Sequence, residues 1–337
     1  MKLQVIQEEK QAKSQLVRIT KESGIPLIGC IAFGLIDRGT NLLQVRATTL
    51  CNMNCDFCST DAGPFSRHHK TNFIVDVGYL AEELAKIAKI KGDNLIIFLD
   101  SVGEPTIHPD FVNLVENIKK IPEVSQIVTI TNGTLLNKEK IDELEGVGLD
   151  RINLSFHSFD PLLSKKLFGM QSYDVEKIKE AILHIKQSNI DLMLTPVYLQ
   201  GVNDQEIEKI IRFCKEINCK IGLQNYETYK YSRKMKEAKK QTYWKFYKQI
   251  EKWEKDYGIK LKVSNKDLNV EKRQRIPEVF DIGDRAKAEI VCYGWMNGQM
   301  IGKAKNRCIS INNCDAAVGD NVTVKIVQNK NNIYIAE

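Results

Sequence analysis

The sequence predicts an α/β domain followed by a small all-β module. Two observations lead to this fold class. Strand-like and helix-like segments alternate six times between residues 42 and 225, and the last sixty residues contain only short β-rich runs. The length of 337 residues suits one large domain and one small one, and a chain that is 43% hydrophobic and 27% charged is globular.

The strand-like runs of the first part are short, apolar and rich in β-branched residues. They cover residues 42–48, 94–100, 126–132, 151–158, 191–199 and 220–225. Segments of helical periodicity stand between them, at residues 76–90, 108–121, 138–148, 174–189 and 204–218. This alternation predicts parallel strands with crossover helices. An open doubly wound sheet and a full or partial barrel both fit, and in both folds ligands bind at the carboxyl ends of the strands.

The C-terminal runs are separated by turns of Gly, Asn and Asp, and no helical period intervenes. They cover residues 285–294, 298–306, 308–313, 321–329 and 332–337. Such a series predicts a small β-barrel. We therefore divide the chain into an N-terminal extension (1–41), a core with a basic helical segment at 230–275 (42–275 in all), and a β-barrel (280–337).

Composition also restricts the compartment and the class of protein. No apolar run approaches the ~20 residues that cross a bilayer, so we expect no membrane association. The N-terminus has no apolar core and no small-residue cleavage site, which predicts a cytoplasmic protein. An odd count of nine cysteines in a reducing compartment disfavours a disulfide framework, and clustered cysteines there indicate metal.

One group of cysteines is tight. Cys51, Cys55 and Cys58 have C-x3-C-x2-C spacing and follow the first strand directly. Three thiolates this close can bind one soft metal centre. Zinc would need a fourth ligand, which His68 or His69 could supply, whereas an iron–sulfur cluster with one open iron needs none.

This motif, with Phe57 as the aromatic residue, resembles the C-x3-C-x-aromatic-C hallmark of the radical S-adenosylmethionine (SAM) superfamily. Residues 101–105 (Ser-Val-Gly-Glu-Pro) are similar to the Gly-Gly-Glu-Pro loop of that family, with Val102 in place of the first glycine. Thr-Asn-Gly-Thr-Leu-Leu at 131–136 and Asn-Leu-Ser-Phe-His at 153–157 are further familiar stretches. The resemblance covers roughly residues 42–225.

The resemblance implies a partial (β/α)6 barrel in which Cys51, Cys55 and Cys58 hold three irons of a 4Fe–4S cluster. The fourth iron would chelate SAM, and an electron donor such as ferredoxin or flavodoxin would drive formation of a 5′-deoxyadenosyl radical that abstracts hydrogen from carbon. The expected SAM contacts are Phe57, Gly103, Glu104, Asn132, Ser155 and Val197. Among them, Glu104 would orient the methionine ammonium, and Gly103 would let the backbone approach the ligand. His157 is either a proton shuttle or a packed histidine.

The basic character of the chain is local. Residues 230–275 contain 16 Lys/Arg and 6 Asp/Glu, interleaved with aromatic residues, and this mixture favours nucleic acid. The alternative is a surface helix, because the aromatic residues between 243 and 257 recur at helical spacing and most of them should pack. The loop at 229–236 is then the better RNA contact. The residues that we expect to contact substrate are Gln224, Asn225, Tyr226, Tyr229, Arg233 and Lys234.

The C-terminal module resembles a TRAM domain, a small OB-like RNA-binding barrel, through its Gly-Asp strand entries at 282–290 and 318–326. Cys292, Cys308 and Cys314 could bind a further cluster or zinc, although their wide spacing favours buried thiols. Cys214 and Cys219 remain unassigned.

Together these features predict a radical SAM enzyme that modifies a base of tRNA or rRNA, with methylation of a base carbon as the first expectation. A peptide or small-metabolite substrate is the second hypothesis. The third is a non-catalytic zinc or RNA-binding protein.

Overall fold

The computed structural model describes residues 14–337, which form a large α/β unit and a small β-barrel. The strands are β1 (Gln15–Ile19), β2 (Gly34–Asp37), β3 (Leu42–Arg46), β4 (Thr71–Val75), β5 (Leu95–Leu99), β6 (Val124–Thr131), β7 (Arg151–Leu154), β8 (Asp191–Leu194), β9 (Val197–Tyr198), β10 (Lys220–Ile221), β11 (Gln224–Asn225), β12 (Arg285–Tyr293), β13 (Gln299–Ala304), β14 (Arg307–Asn312), β15 (Asn321–Gln328) and β16 (Ile335–Ala336). The α-helices are α1 (Val77–Lys91), α2 (Phe111–Lys119), α3 (Lys138–Gly146), α4 (Pro161–Phe168), α5 (Val175–Gln187), α6 (Asp204–Glu216) and α7 (Tyr243–Tyr257).

The central sheet confirms the predicted α/β class. Its order is β10-β8-β7-β6-β5-β3-β2. The first six of these strands are parallel, and β2 joins β3 antiparallel. The sheet ends at β10 on one side and β2 on the other, so it does not close, as expected of a partial barrel. Its six parallel carboxyl ends lie along one edge and define where a site can form.

Three of the crossover helices, α1, α3 and α5, combine a side-chain cap at the first turn with an apolar stripe. In α5 the Asp174 side chain accepts hydrogen bonds from the backbone of Glu176 and Lys177, which satisfies free N–H groups of the first turn. Its buried residues recur every three or four positions: Val175, Ile178, Ala181, Ile182 and Ile185. This face packs on the sheet, and burial of side chains of this size contributes about 1.5–3 kcal/mol each.

Several elements lie outside the predicted repeats. Strand β1 pairs parallel with β4, and β2 extends the central sheet, so residues 15–37 of the predicted N-terminal extension belong to the α/β unit. Residues 1–13 of that extension lie outside the described part of the chain. Helix α4 was also not predicted, although Asp160 and Pro161 form a clear start for it.

The C-terminal module is a closed five-stranded barrel of order β12-β13-β14-β16-β15, which confirms the predicted small β-barrel. Strands β14 and β16 are parallel, and the other neighbours are antiparallel. This is consistent with an OB-like fold. The TRAM-like assignment of the module stays a prediction.

The barrel docks through the outer face of β13 and β14. Ile301 and Cys308 are fully buried and join the core of the α/β unit. The Cys308 N–H donates to the Ile28 carbonyl at 2.7 Å, and the Tyr334 N–H donates to the Gly29 carbonyl at 3.0 Å. OB-folds commonly bind oligonucleotides on the face of their second and third strands. In this protein that face is covered by the segment around residues 25–33.

Within residues 14–337, no helix has the length and apolar character needed to cross a bilayer.

Candidate active site

A cavity of about 580 Å³ opens at the carboxyl ends of the parallel strands. Its lower wall comes from the loops that follow β3, β5, β6, β7 and β8, and its mouth is formed by residues 223–229 and by the first turns of α7. Cys51, Cys55 and Cys58 all line it, as do Glu104, Ser155 and Val197. The topology therefore brings most of the predicted site residues into one space.

The three cysteines lie on the segment 47–70 between β3 and β4, which we call the cluster loop. Burial, with smaller contributions from the neighbouring Glu104 and Cys58, raises the pKa of the Cys51 thiol to about 12. Burial likewise raises the pKa of Cys55 well above its ordinary value, with repulsion from Cys58 and Cys51 adding to it. Thiols in such a setting lose their protons readily only when a metal centre binds between them.

Arg233 fastens the cluster loop. Its guanidinium donates to the Asp61 carboxylate at 2.8 Å, to the Cys55 carbonyl at 3.1 Å and to the Ala62 carbonyl at 2.6 Å. Its own N–H donates to the Cys58 carbonyl at 2.9 Å. The prediction that Arg233 contacts substrate is therefore corrected, since the donors of this side chain are used to hold the loop and it does not line the cavity.

The Glu104 carboxylate joins its own loop to the end of β6 beneath the cavity. Oε1 accepts from the hydroxyls of Thr106 at 2.6 Å and Thr131 at 2.7 Å, and Oε2 accepts from the Asn132 N–H at 2.8 Å. Burial raises the pKa of this carboxyl, while these hydrogen bonds lower it. Because Oε2 has a single protein donor, it keeps a lone pair for a cationic ligand such as an ammonium group.

Gly103 is needed for a reason other than the predicted approach to ligand. A Cβ at this position would lie 2.2 Å from the Leu50 carbonyl oxygen. The Glu104 N–H also donates to that carbonyl at 2.7 Å. Because glycine has no side chain, the loop after β5 packs directly on the cluster loop. This contact helps to fix the position of the cysteines in the cavity.

The four remaining predicted cofactor contacts all line the cavity, and Asn132 has a further structural contact. Asn132 donates through Nδ2 to Asn52 Oδ1 at 2.9 Å, and this bond ties the end of β6 to the cluster loop. Phe57, Ser155 and Val197 line the cavity. The Val197 N–H donates to His157 Nδ1 at 3.1 Å, which leaves the proton of the neutral ring on Nε2.

His157 is a packed histidine. It is buried, and burial lowers its pKa to about 3. Its ring stacks on Phe168 and meets the edge of Phe57, with centroids 5.0 Å and 4.9 Å apart. A ring that stays neutral at physiological pH cannot carry protons by cycling its charge, so the structure favours the packed histidine of the two alternatives.

Four of the six residues predicted to contact substrate line the cavity, and two do not. Gln224, Asn225, Tyr226 and Tyr229 line the cavity. The side chain of Tyr226 is buried and its hydroxyl accepts from the Met235 N–H at 2.9 Å. Lys234 is exposed and lies outside the cavity lining.

Other cavity residues were not predicted. Tyr243, Phe246 and Tyr247 of α7 line the mouth, and of the aromatic stripe expected to pack only Phe246 and Trp253 are buried, while Tyr243 and Tyr247 are exposed. Glu227 and Thr195 also line the cavity. Helical spacing alone could not separate the packed positions of α7 from those at the mouth.

Sequence comparison decides the family. Residues 45–214 match the profile of the Radical SAM superfamily. The chain belongs to the radical SAM superfamily. An uncharacterised protein of Methanocaldococcus jannaschii is 38% identical over 93% of this chain and 78% of its own length.

Other relatives match a smaller part of this chain. A GTP 3′,8-cyclase of Aquifex aeolicus is 28% identical over 57% of this chain and 58% of the cyclase. The crystal structure of Streptococcus suis SuiB bound to S-adenosylmethionine matches with a TM-score of 0.51 at 17% identity, over 70% of this chain and 49% of SuiB. The chain thus spans only about half the length of these proteins, and the structural likeness shows a shared fold.

Radical SAM enzymes use a 4Fe–4S cluster and SAM, and the site fits both. Three partly buried thiols line one cavity, and the cavity wall includes the buried Thr195 hydroxyl, whose Oγ1 has no hydrogen-bond partner among residues 14–337. Cys51, Cys55 and Cys58 would hold the cluster. Glu104 and Thr195 would face the polar groups of SAM.

The arrangement does not suit a single zinc ion. Zn–S bonds of ~2.3 Å bring thiolates within about 4 Å of one another, whereas no three Cys, His, Asp or Glu side chains of the described chain are grouped to hold one ion. His68 and His69, the two candidates for a fourth zinc ligand, contact other groups. His68 Nδ1 binds the Asp61 carboxylate at 2.9 Å, and His69 stacks on Trp295 with centroids 3.9 Å apart.

The other cysteines pack as thiols. Cys30, Cys214, Cys219, Cys292 and Cys308 are buried, and Cys314 is partly exposed. The Cys308 S–H donates to the Pro26 carbonyl at 3.0 Å. Cys292 and Cys308 belong to the core between barrel and α/β unit, which favours the buried-thiol interpretation over a second metal centre.

Proposed function

We propose that this radical SAM enzyme modifies a nucleobase in RNA, and that α7 carries the contact to the RNA backbone. The observation on which this depends is a basic stripe along α7. Lys245, Lys248, Lys252 and Lys255 recur every three or four residues, and all four are exposed. Phosphates attract such a stripe without regard to sequence.

The same helix reaches the cavity. Its inner face packs through Phe246, Ile250 and Trp253, while its first turn presents Tyr243 and Tyr247 at the mouth. Trp244 is 69% exposed beside the stripe. Exposed aromatic rings next to lysines suit single-stranded RNA, whose bases stack while its phosphates are neutralised.

The β-barrel has a different part in this proposal from the one its resemblance implies. Because the outer face of β13 and β14 is buried, we assign RNA contact to α7 and the loop at 229–236. The barrel then serves as a wall that supports the cluster loop. The Lys70 N–H donates to the Trp295 carbonyl at 3.1 Å, and the Asn297 N–H donates to the His68 carbonyl at 3.2 Å.

The chemistry follows from the family. The cluster and SAM supply one-electron chemistry at a substrate C–H bond, while the chain binds, orients and excludes water. Phe57, Phe168 and Phe246 form apolar parts of the cavity wall. Methylation of a base carbon is the first reaction to test.

Charge reversal tests the RNA contact. We expect K245E/K252E to weaken retention of total tRNA or rRNA by at least tenfold near 0.1 M salt, and to flatten the salt dependence by about one unit of slope for each phosphate contact removed. The control K89E/K138E changes two exposed lysines on other helices and should bind like the parent. Equal RNA retention by both double variants, or no salt-sensitive retention by the parent, would refute the proposal.

A free purine nucleotide is a second candidate, favoured by the similarity of about half of this chain to GTP 3′,8-cyclases. Turnover of GTP by the reconstituted protein, without added RNA, would favour it. Mass spectrometry of RNA nucleosides from a deletion strain and its parent separates the two candidate functions. If the protein modifies RNA, one modified nucleoside is missing from the RNA of the deletion strain.

A further inference from the structure

Glu227 is an anchored carboxylate at the mouth of the cavity. It follows β11 and lines the same cavity as the three cysteines. Its Oε2 accepts the hydroxyl of Tyr229, and its Oε1 accepts the hydroxyl of Tyr243. These two hydrogen bonds lower the pKa of Glu227, so the group is ionised at neutral pH. Each oxygen keeps a further lone pair for a ligand.

Aromatic faces stand next to this carboxylate. The rings of Tyr243 and Tyr247 are nearly parallel, at 27°, with centroids 6.1 Å apart. Both are substantially exposed and both line the cavity mouth. Lys262 Nζ lies 5.1 Å from the centroid of the Tyr247 ring. A flat ring, a hydrogen-bond acceptor and a positive charge thus meet at one place.

We propose that Glu227 and the tyrosines bind a guanine base of the RNA substrate. Of the four standard bases, only guanine presents two adjacent N–H donors, N1–H and the N2 amino group, on its Watson–Crick edge. A carboxylate with two free lone pairs accepts both at once, while Tyr243 or Tyr247 stacks on the base. This inference rests on the proposed RNA function and names the base for the same site.

An arginine side chain carries a similar pair of donors, so an arginine-bearing peptide is the rival ligand. The surroundings favour the nucleotide. Lys262 and the stripe from Lys245 to Lys255 would repel a cationic peptide, and they would attract the phosphates on either side of a guanine.

Fluorescence anisotropy of short single-stranded RNAs tests the inference without turnover. The RNAs differ at one central position, which is guanosine, inosine, adenosine or cytidine. Inosine is the most informative comparison with guanosine, because its base differs from guanine only in lacking the N2 amino group. We expect the parent protein to prefer guanosine to inosine by about tenfold. We expect E227Q to lose most of that preference and to bind the guanosine RNA more weakly than the parent does. Y243F should keep the stacking ring and lose part of the preference.

The control E216Q removes an exposed carboxylate at the end of α6 and should keep the full preference for guanosine. Circular dichroism confirms that each variant is folded. Equal affinity for the four RNAs, or a preference that survives E227Q, overturns the guanine assignment and leaves the RNA function standing. Failure of every RNA to bind overturns both proposals, and Glu227-dependent binding of an arginine peptide in its place identifies the rival.

Discussion

His157 shows how a residue at a strand end can be close to chemistry and still be a packing residue. Its neutral ring fills the space between Phe57 and Phe168 and accepts the Val197 N–H. Since the ordinary pKa of histidine is ~6.5 and the folded value is about 3, unfolding at acidic pH binds a proton. The stability from His157 is therefore complete at neutral pH and declines as pH falls from about 6.5 towards 3.

This linkage predicts a measurable difference between the parent and His157→Asn. The asparagine oxygen can still accept the Val197 N–H but does not titrate. Between pH 7 and pH 5 we expect the parent to lose about 2 kcal/mol of unfolding free energy more than the variant does. Urea denaturation of the two proteins at both pH values measures it. Parallel pH profiles would show that His157 is accessible to protons in the folded state.

Gly103→Ala tests the packing between the loop after β5 and the cluster loop. The new Cβ would meet the Leu50 carbonyl at 2.2 Å, and backbone must move to relieve the contact. We expect a loss of about 2–3 kcal/mol in unfolding free energy and a lower iron content after anaerobic reconstitution.

Gly146→Ala is the matched control, since a Cβ at this last residue of α3 meets nothing within 4 Å. It should be neutral or slightly stabilising. If Gly103→Ala matched it in stability and iron content, the packing argument for Gly103 would be wrong.

At the scale of elements, the cluster loop is held from three sides. The loop after β5 meets it at Leu50, and the end of α4 meets it where the Asn54 N–H donates to the Phe168 carbonyl at 2.9 Å. Arg233 closes the third side. A loop without regular structure can thus present three cysteines rigidly, because its backbone groups are bonded to fixed elements.

Arg233→Lys should weaken this hold while it keeps the charge. Lysine cannot reproduce the planar fork that reaches Asp61, Cys55 and Ala62 together. We expect the unfolding free energy to fall by about 2 kcal/mol, because hydrogen bonds to the loop carbonyls are lost. The reconstituted protein should also release iron to a chelator several-fold faster. Lys234→Ala, at the exposed neighbouring position, should leave both unchanged. Equal release rates for the two variants would assign Arg233 no part in cluster retention.

The sequence predicted elements well where periodicity was strong and poorly where contacts are long-range. The six parallel strands and the five barrel strands follow from local pattern. The sequence predicted Arg233 as a substrate contact because it lies in a basic loop. Its hydrogen-bond partners are at residues 55–62, which are far away in sequence. Tyr243 and Tyr247 share the spacing of Phe246, and only the position of α7 over the cavity separates exposed from packed rings.

At the scale of the whole molecule, the barrel and the α/β unit are joined through a shared core. The barrel has its own interior, which includes Ile290, Ile309 and Tyr334. Its outer residues Cys292, Ile301 and Cys308 belong to the core of the α/β unit instead. A surface that could have bound RNA is thereby used for stability, and this leaves α7 as the basic surface next to the cavity.

Gly29→Ala should separate the two units. Gly29 has φ +122°, and a Cβ there would lie 2.1 Å from the Cys308 carbonyl oxygen, so the segment at 25–33 could not stay against β14. We expect a loss of more than 3 kcal/mol in unfolding free energy and protease cleavage between the core and the barrel.

Gly319→Ala is the matched control. Gly319 also has a positive φ, at +96°, but a Cβ there would meet nothing within 4 Å, so the substitution should cost only about 1 kcal/mol of backbone strain. Because backbone strain is common to both variants, the difference between their losses in unfolding free energy measures the contact between the segment at 25–33 and β14. Equal losses would mean that the position of the barrel does not depend on this contact.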